Sequence, residues 1–223
     1  APEVQTRFEA NTGGKMVEAY GLTETICASM NPVDNVRHNS IGVPMPNTDM
    51  KIVDADNGQK ELLPDEIGEI IIKGPQVMKG YWEKAEETAG ILHKGPDGEQ
   101  GWFYSGDIGY ADKDGFFHIV DRKKDLIITS GYNVYPAEVE SVLFEHPSIM
   151  EAAAIGMPDE SRGEIVKAFI VLKPGENAEK DEITAFCRER MAAYKVPKEI
   201  EFRTELPKSL VGKVLRRELR DQA

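Results

Sequence analysis

The chain has 223 residues, of which 40% are hydrophobic and 30% charged, with a formal net charge of −12. That length suits one and a half or two domains with a real core, and no apolar run approaches the length of a bilayer span. The acidic balance argues against a nucleic-acid partner, since a phosphate-binding surface shows as clustered excess Lys and Arg. Cys27 and Cys187 are far apart and form no metal or redox spacing, so they are expected to be reduced structural thiols of a cytoplasmic protein.

The first residues lack the basic start and apolar centre of a secretory leader. Spacing predicts a short helix over 2–11, a break at Gly13 and Gly14, and a buried strand near Met16 to Tyr20. A helix feeding a strand with no neighbouring strands in the text suggests a chain that opens mid-domain. From Ser40 to Ile119 short strand-like runs at 50–53, 67–73 and 116–120 are divided by Gly, Pro, Asn and Asp, which predicts a small antiparallel sheet or distorted barrel. Asp56 to Gly58 reads as a turn, and Asp112 to Gly115 as the hairpin joining Ile108–Tyr110 to Phe116–Ile119. The charge run Asp121 to Asp125 reads as a solvated linker and places a domain boundary there. Beyond it the text alternates: strand 126–129, helix 137–145, strands 151–156 and 166–172, helix 179–193, and a strand near 200–202. Pro136 falls in the first turn of its helix, and Pro174 with Gly175 ends a strand.

Three clusters could carry chemistry. Tyr20, Gly21, Leu22, Thr23, Glu24 and Thr25 offer an aromatic face, a glycine for close approach, hydroxyls and a carboxylate, a set able to hold a nucleotide and magnesium. Taken alone, such threonines are more often a helix cap. Tyr104, Ser105, Gly106 and Asp107 could present a carboxylate to a ribose diol, or could be a plain turn. Arg122 could donate to ribose or phosphate, or be a solvated arginine. The loop from Pro207 to Arg216 sets Gly212 beside Lys213, and a mobile loop can deliver a cation to the charge that builds when a carboxylate attacks a phosphate. The alternative is a solvated basic tail.

As a set, in order and spacing, these segments resemble the adenylate-forming superfamily of acyl-CoA synthetases, luciferases and peptide-synthetase adenylation domains. The matching texts are Tyr-Gly-Leu-Thr-Glu-Thr at 20–25, Gly-Glu-Ile-Ile-Ile-Lys-Gly at 68–74, Gly-Tyr-Trp at 80–82 with Thr88, and Tyr-Ser-Gly-Asp at 104–107. They continue with Asp-Arg-Lys-Lys-Asp-Leu-Ile at 121–127, Gly-Tyr-Asn-Val-Tyr-Pro-Ala-Glu-Val-Glu at 131–140, Tyr-Lys-Val-Pro at 194–197 and the loop ending at Lys213.

The resemblance implies an α+β fold. Residues 1–123 would be the end of a large AMP-binding domain with a small distorted antiparallel β-barrel or sheet, and 124–223 a small mobile α+β lid. It implies that Tyr20 stacks on adenine with Gly21 beside it, Thr23 touches phosphate, Glu24 holds magnesium, Asp107 binds the ribose hydroxyls and Arg122 supports them. Lys213 would be the lysine of adenylation, Lys124 the hinge, and Gly131 part of the loop facing the pantetheine channel. The implied substrates are ATP with Mg2+, CoA and a small carboxylic acid, long-chain fatty by likeness to bacterial ligases at 156–160 and 194–198, with aryl and medium-chain acids open. The family's phosphate loop and most of its acyl pocket would lie upstream of Ala1, so the missing N-terminal portion is the expected partner. A homodimer, a peripheral membrane association, a non-catalytic module and control by acetylation of Lys213 stay open alternatives. Three positions depart from the pattern: Ser105 where relatives carry Thr, Ile128 where luciferase-like members carry a second lysine, and Asn133 where acetyl-CoA synthetases carry arginine.

Overall fold

The computed structural model describes residues 2–209 and 212–223, with side chains from residue 6 onward. It divides into two compact units, Ala1–Lys123 and Lys124–Ala223. Each is mixed α+β, and no sheet closes into a barrel among the described residues.

The first unit opens with α1 (Pro2–Thr12) and a three-stranded antiparallel sheet of β1 (Ala19–Leu22), β2 (Ile26–Met30) and β3 (Val43–Pro44). A five-stranded antiparallel sheet follows: β4 (Asp49–Val53), β5 (Gly68–Lys73), then helix α2 (Ala85–Ile91), β6 (Leu92–His93), β7 (Trp102–Ala111) and β8 (Phe117–Arg122). Three consecutive isoleucines make β5 a strand covered on both faces, which a continuous apolar run predicts. Ile70 and Ile72 join Tyr20, Ala28, Ile52, Phe103 and Phe117 on one side. Ile71 turns the other way, onto Val53, Trp102 and Tyr104. The three-stranded sheet meets this core through Tyr20 and Ala28 and through a bridge between Gly42 and Phe117.

The second unit carries β9 (Ile127–Thr129), β10 (Tyr132–Val134), α3 (Pro136–Phe144), β11 (Ile149–Asp159), β12 (Gly163–Leu172), α4 (Lys180–Arg188), β13 (Glu199–Phe202) and α5 (Arg216–Asp221). Its strands run in the order β10, β9, β12, β11, with β13 parallel to β12. The period of two along β11 and β12 sorts side chains onto two cores. Ala152, Ala154, Val166, Ala168 and Ile170 pack with Val139 and Leu143 of α3 and Ile183 and Cys187 of α4. Ala153, Ile155, Phe169 and Val171 pack with Leu206 and with Leu219 of α5. The two cysteines are free, and burial pushes the Cys187 thiol up to about 11.

Several expectations need correction. The segment read as a strand near Met16 to Tyr20 becomes β1 two or three residues later, and only its Tyr20 is buried. The charge run 121–125 is no solvated linker: Asp121 and Asp125 are buried, because β8 runs on to Arg122 and a 3-10 turn occupies Lys123–Asp125. Helix 179–193 ends at Arg188; the chain then bends so that Met191 and Tyr194 return to the core. Strands β6 and β10 and helices α2 and α5 had no clear periodic signal, being two to seven residues long.

Candidate nucleotide site and the lysine turn

The first cluster is a hairpin, not a helix cap. Leu22 pairs with Ile26 across a loop of Thr23, Glu24 and Thr25. Thr25 is fully buried and closes that loop: its Oγ1 accepts the Leu22 N–H at 3.2 Å, and its own N–H donates to the Leu22 carbonyl at 3.1 Å. Thr23 is thereby left exposed. Gly21 is required by its own hairpin, since a Cβ there would lie 1.6 Å from the Ile26 carbonyl oxygen. Glu24 is half-buried; its Oε1 accepts the Tyr81 hydroxyl at 2.6 Å and its carbonyl accepts the Met78 N–H at 2.8 Å. The hydrogen bond to Glu24, then burial, raises the Tyr81 pKa.

Nor is the second cluster a turn. Residues 104–107 lie inside β7, where a bulge opposite Ile70 and a positive φ of 69° at Gly106 re-aim the chain. Ser105 holds the bulge by donating to the Ile70 carbonyl at 2.6 Å and accepting the Asp107 N–H at 3.0 Å. The hydroxyl is what matters there, so Ser in place of Thr leaves this function intact. Asp107 then faces Arg122 directly across β7 and β8. Its Oδ1 takes the Arg122 Nε at 2.6 Å and its Oδ2 accepts the Tyr20 hydroxyl at 2.6 Å. The carboxylate is 2% exposed, whereas the Arg122 side chain is 40% exposed, so the arginine reaches outward from a buried anchor. Desolvation, followed by the Asp107 charge, drives the Tyr20 pKa far up, so the phenol stays a neutral donor.

A shallow groove of about 550 Å³ runs along this edge, lined by Ala19 to Glu24, Ile26, Cys27 and Arg122. The structure thus gathers Tyr20, Gly21, Thr23, Glu24 and Arg122 on one groove and sets Asp107 behind it. Among the described residues no group of three His, Cys, Asp or Glu side chains gathers to hold a metal. A magnesium ion at Glu24 would therefore take most of its ligands from phosphate oxygens and water, the usual manner for that ion.

The roles of two further residues, Glu69 and Tyr81, are not legible in the sequence. Glu69, 3% exposed in β5, accepts the Gly106 N–H at 3.1 Å and pairs with Lys123 at 2.7 Å. Glu69 stands in the matching text at 68–74, a lone charge ahead of a buried isoleucine run, with nothing nearby in sequence to show what it holds. Tyr81 was quoted as part of a motif, without its bond to Glu24.

The remaining residues belong to the second unit. Lys124 is its first residue. Gly131 completes a two-residue hairpin turn between β9 and β10, with φ of 51° at Ser130 and 80° at Gly131, the signature of a type I′ turn. Asn133 and Ile128 face each other across that hairpin and are both exposed. Lys213 sits on a second tight turn: Ser209 N–H donates to the Lys213 carbonyl at 2.8 Å, Gly212 has φ of 81°, and Lys208 bridges Val214. Leu210 and Val211 of that loop lie outside the described residues. Lys213 is exposed, and its ammonium makes no ion pair among the described residues.

Comparison with known proteins agrees with this geometry. Residues 1–82 match the AMP-binding enzyme family and residues 138–213 match the AMP-binding enzyme C-terminal domain. The chain is 52% identical over 227 aligned positions to the long-chain-fatty-acid–CoA ligase of Bacillus subtilis, covering 99% of this chain and 38% of that protein. It is 44% identical to the 2-succinylbenzoate–CoA ligase of Geobacillus kaustophilus, covering 93% of this chain and 41% of that one. Among solved structures, ATP-bound MatB from Rhodopseudomonas palustris superposes with a TM-score of 0.86 at 36% identity, covering 99% of this chain and 43% of that chain. The chain belongs to the adenylate-forming, AMP-binding enzyme family. It spans about 38% of the length of the long-chain ligases it matches.

Proposed function

We propose that the whole protein is an AMP-forming acyl-CoA ligase acting on long-chain fatty acids. The carboxylate oxygen of the acid attacks the α-phosphorus of ATP and pyrophosphate leaves; the CoA thiol then attacks the acyl carbon and AMP leaves. The observation that carries the reading is the clasp in which one buried carboxylate, Asp107, holds both Tyr20 and Arg122 at 2.6 Å beside the groove. In this reading Tyr20 and Gly21 form the wall for adenine, and Asp107 and Arg122 receive the ribose. Thr23 meets phosphate, and Glu24 with a magnesium ion offsets the charge of the leaving pyrophosphate. Lys213, exposed on its turn, supplies the cation at the attacked phosphate during adenylation. Lys124 serves as pivot, and the Gly131 turn borders the path of the pantetheine arm. One surface that serves ATP and then CoA needs such a change of arrangement between steps. Since both cosubstrates are abundant in the cytoplasm, the reading places the reaction there; no described helix is long and apolar enough to cross a membrane.

The long-chain acid is favoured because the relatives near 50% identity carry that name. The 44% identical 2-succinylbenzoate ligase supports an aryl acid as the second reading. Pyrophosphate release from ATP and magnesium, run on the whole protein with a panel of fatty and aryl acids, tests both. Release with C14 to C18 acids and little with aryl acids is expected; release with aryl acids alone replaces the substrate, and no acid-dependent release with any acid overturns the ligase reading.

A further inference from the structure

Among the described residues the Lys213 side chain makes no ion pair or hydrogen bond, and its backbone is held by the turn beneath it. That turn is a small hairpin whose base is closed by the Leu215 N–H donating to the Pro207 carbonyl at 2.8 Å. The next residue, Arg216, is the first of α5 and is one of four interlocked charges. Its Nη2 contacts the Glu140 carboxylate at 2.7 and 2.9 Å and its Nε reaches the same group at 3.1 Å. Its Nη1 lies 3.5 Å from Asp125, and Arg220, one helical turn on, pairs with Asp125 at 2.8 Å. Glu140 also accepts the Ala154 N–H at 2.9 Å, which ties the cluster to the central strand β11.

Three features separate this cluster from ordinary surface ion pairs. Asp125, Glu140 and Arg216 have side chains only 10%, 15% and 18% exposed, so solvent screens them little. Two cations meet two carboxylates, which leaves no net buried charge. The members also come from three places along the chain: the residue after Lys124, the helix α3, and the base of the Lys213 turn; Ile127 shares a core with Val139 of α3, while Val214 of the turn packs on the other core. Leu219 anchors α5 in a core of its own, but on the face of the sheet opposite α3. Val214 packs in that same core and Lys208 pairs with Glu151 of β11, and Arg216 adds the tie from α5 across to Glu140 of α3.

We propose that Asp125, Glu140 and Arg216 are positioning residues for Lys213: they bolt the lysine turn to the residue beside the pivot, so that the lysine travels with Asp125 as a rigid piece. This rests on the ligase reading for its catalytic consequence, while the bolting itself is a structural statement. A bidentate guanidinium is needed for it, and a lysine at 216 would keep the charge but lose the fork.

The test uses the whole protein with Arg216→Lys and Glu140→Gln, the latter keeping an acceptor for Ala154, and Lys213→Ala as reference. Backbone hydrogen exchange over 207–216 and the rates of the two half-reactions are measured, after thermal melting shows each variant folded. For Arg216→Lys the adenylation rate at saturating ATP and acid is expected to fall about tenfold with KM values nearly unchanged, while thioester formation from supplied acyl-adenylate stays within about threefold. Exchange over 207–216 should quicken by about tenfold, and Glu140→Gln should repeat the pattern more weakly. A proportional fall in both half-reactions, or unchanged adenylation, overturns the positioning role. If the unaltered protein shows no acid-dependent pyrophosphate release, the ligase reading fails by itself, and exchange still decides the bolting: unchanged protection of 207–216 in Arg216→Lys overturns it, and faster exchange supports it.

Discussion

The nucleotide clasp and the lysine turn solve opposite problems. In the clasp, Tyr20, Asp107 and Arg122 sit on three strands and lock one another, so each side chain is fixed by the others and by the sheet. On the turn, Lys213 is exposed and, among the described residues, held through its backbone. A rigid, partly desolvated site suits a ligand that must be oriented; a solvated cation on a small hairpin suits a group that must arrive and leave. The contrast predicts that substitutions in the clasp change stability and nucleotide binding together, whereas substitution at the lysine changes rate alone.

Lys213→Ala should show the largest effect. Loss of the charge that meets the developing transition state is expected to lower adenylation about 10²- to 10³-fold, the range for removal of one such group. Stability should move by less than about 0.5 kcal/mol, because nothing described packs on the side chain. Pyrophosphate release and urea unfolding measured together check the pair of outcomes; a large loss of stability would erase the contrast with the clasp.

Asp107→Ala comes next. It removes the acceptor of Tyr20 and the counter-ion of Arg122, and should cost about 2 kcal/mol of stability, the lower part of the range for charged hydrogen bonds because Arg122 is half in solvent. ATP affinity should fall in the same variant, read by calorimetric titration of the whole protein. Unchanged affinity with lost stability would reduce Asp107 to a purely structural bolt.

How much of this contrast could be read from the sequence follows from the kind of interaction involved. The strands β5, β11 and β12, the end of β7 at Ile108–Tyr110 and the helix α3 declared themselves through period and turn chemistry. So did the Asp112–Gly115 hairpin, whose Asp112 Oδ1 accepts the Asp114 and Phe116 N–H groups. What stayed hidden is pairing over long sequence distance. Nothing near Asp107 says that its partner lies 87 positions earlier at Tyr20, and nothing near Asp125 points to Arg216, 91 positions later. Local patterning misread both clusters for the same reason: a threonine-rich run suits a helix cap and a charge run suits a linker unless a distant carboxylate or strand claims them. Motif resemblance named Tyr20, Asp107, Arg122 and Lys213 as a set; its texts also contain Glu69, Asp125 and Glu140, but give no sign of what these carboxylates hold.

Gly131→Ala sharpens the comparison within the second unit. At φ of 80° an alanine is strained although no atom lies within 4 Å of the added carbon, so the cost is backbone strain of about 1–2 kcal/mol with no clash. If glycine serves only the I′ turn, stability falls and both half-reactions keep their ratio. A selective loss of thioester formation, with adenylation intact, would mark the turn as part of the thiol's path.

An effect of similar size is expected at Tyr20→Phe, where one hydroxyl bond to Asp107 is lost while the ring stays in its core. The cost should be about 1–2 kcal/mol near neutral pH. Its pH dependence carries more information than its size. The folded-state pKa of Tyr20 is raised above its unfolded value of 10.0, first by desolvation and then by the Asp107 charge. A raised pKa means that the stabilisation is fully present below pH 10 and is lost progressively as the pH climbs above it, since unfolding then releases a proton. Tyr81 and Tyr104 are raised as well, the former by its bond to Glu24 and the latter by burial, so the variant should soften the alkaline loss of stability without abolishing it. Chemical unfolding of the unaltered protein and Tyr20→Phe at pH 7, 9, 10 and 11 measures this as a gap between the two that narrows above pH 10. A gap that stays constant to pH 11 would mean that the phenol ionises equally in both states. The clasp would then be wetter than its 2% exposed carboxylate indicates, and the rigidity that sets it apart from the lysine turn would have to come from the strands alone.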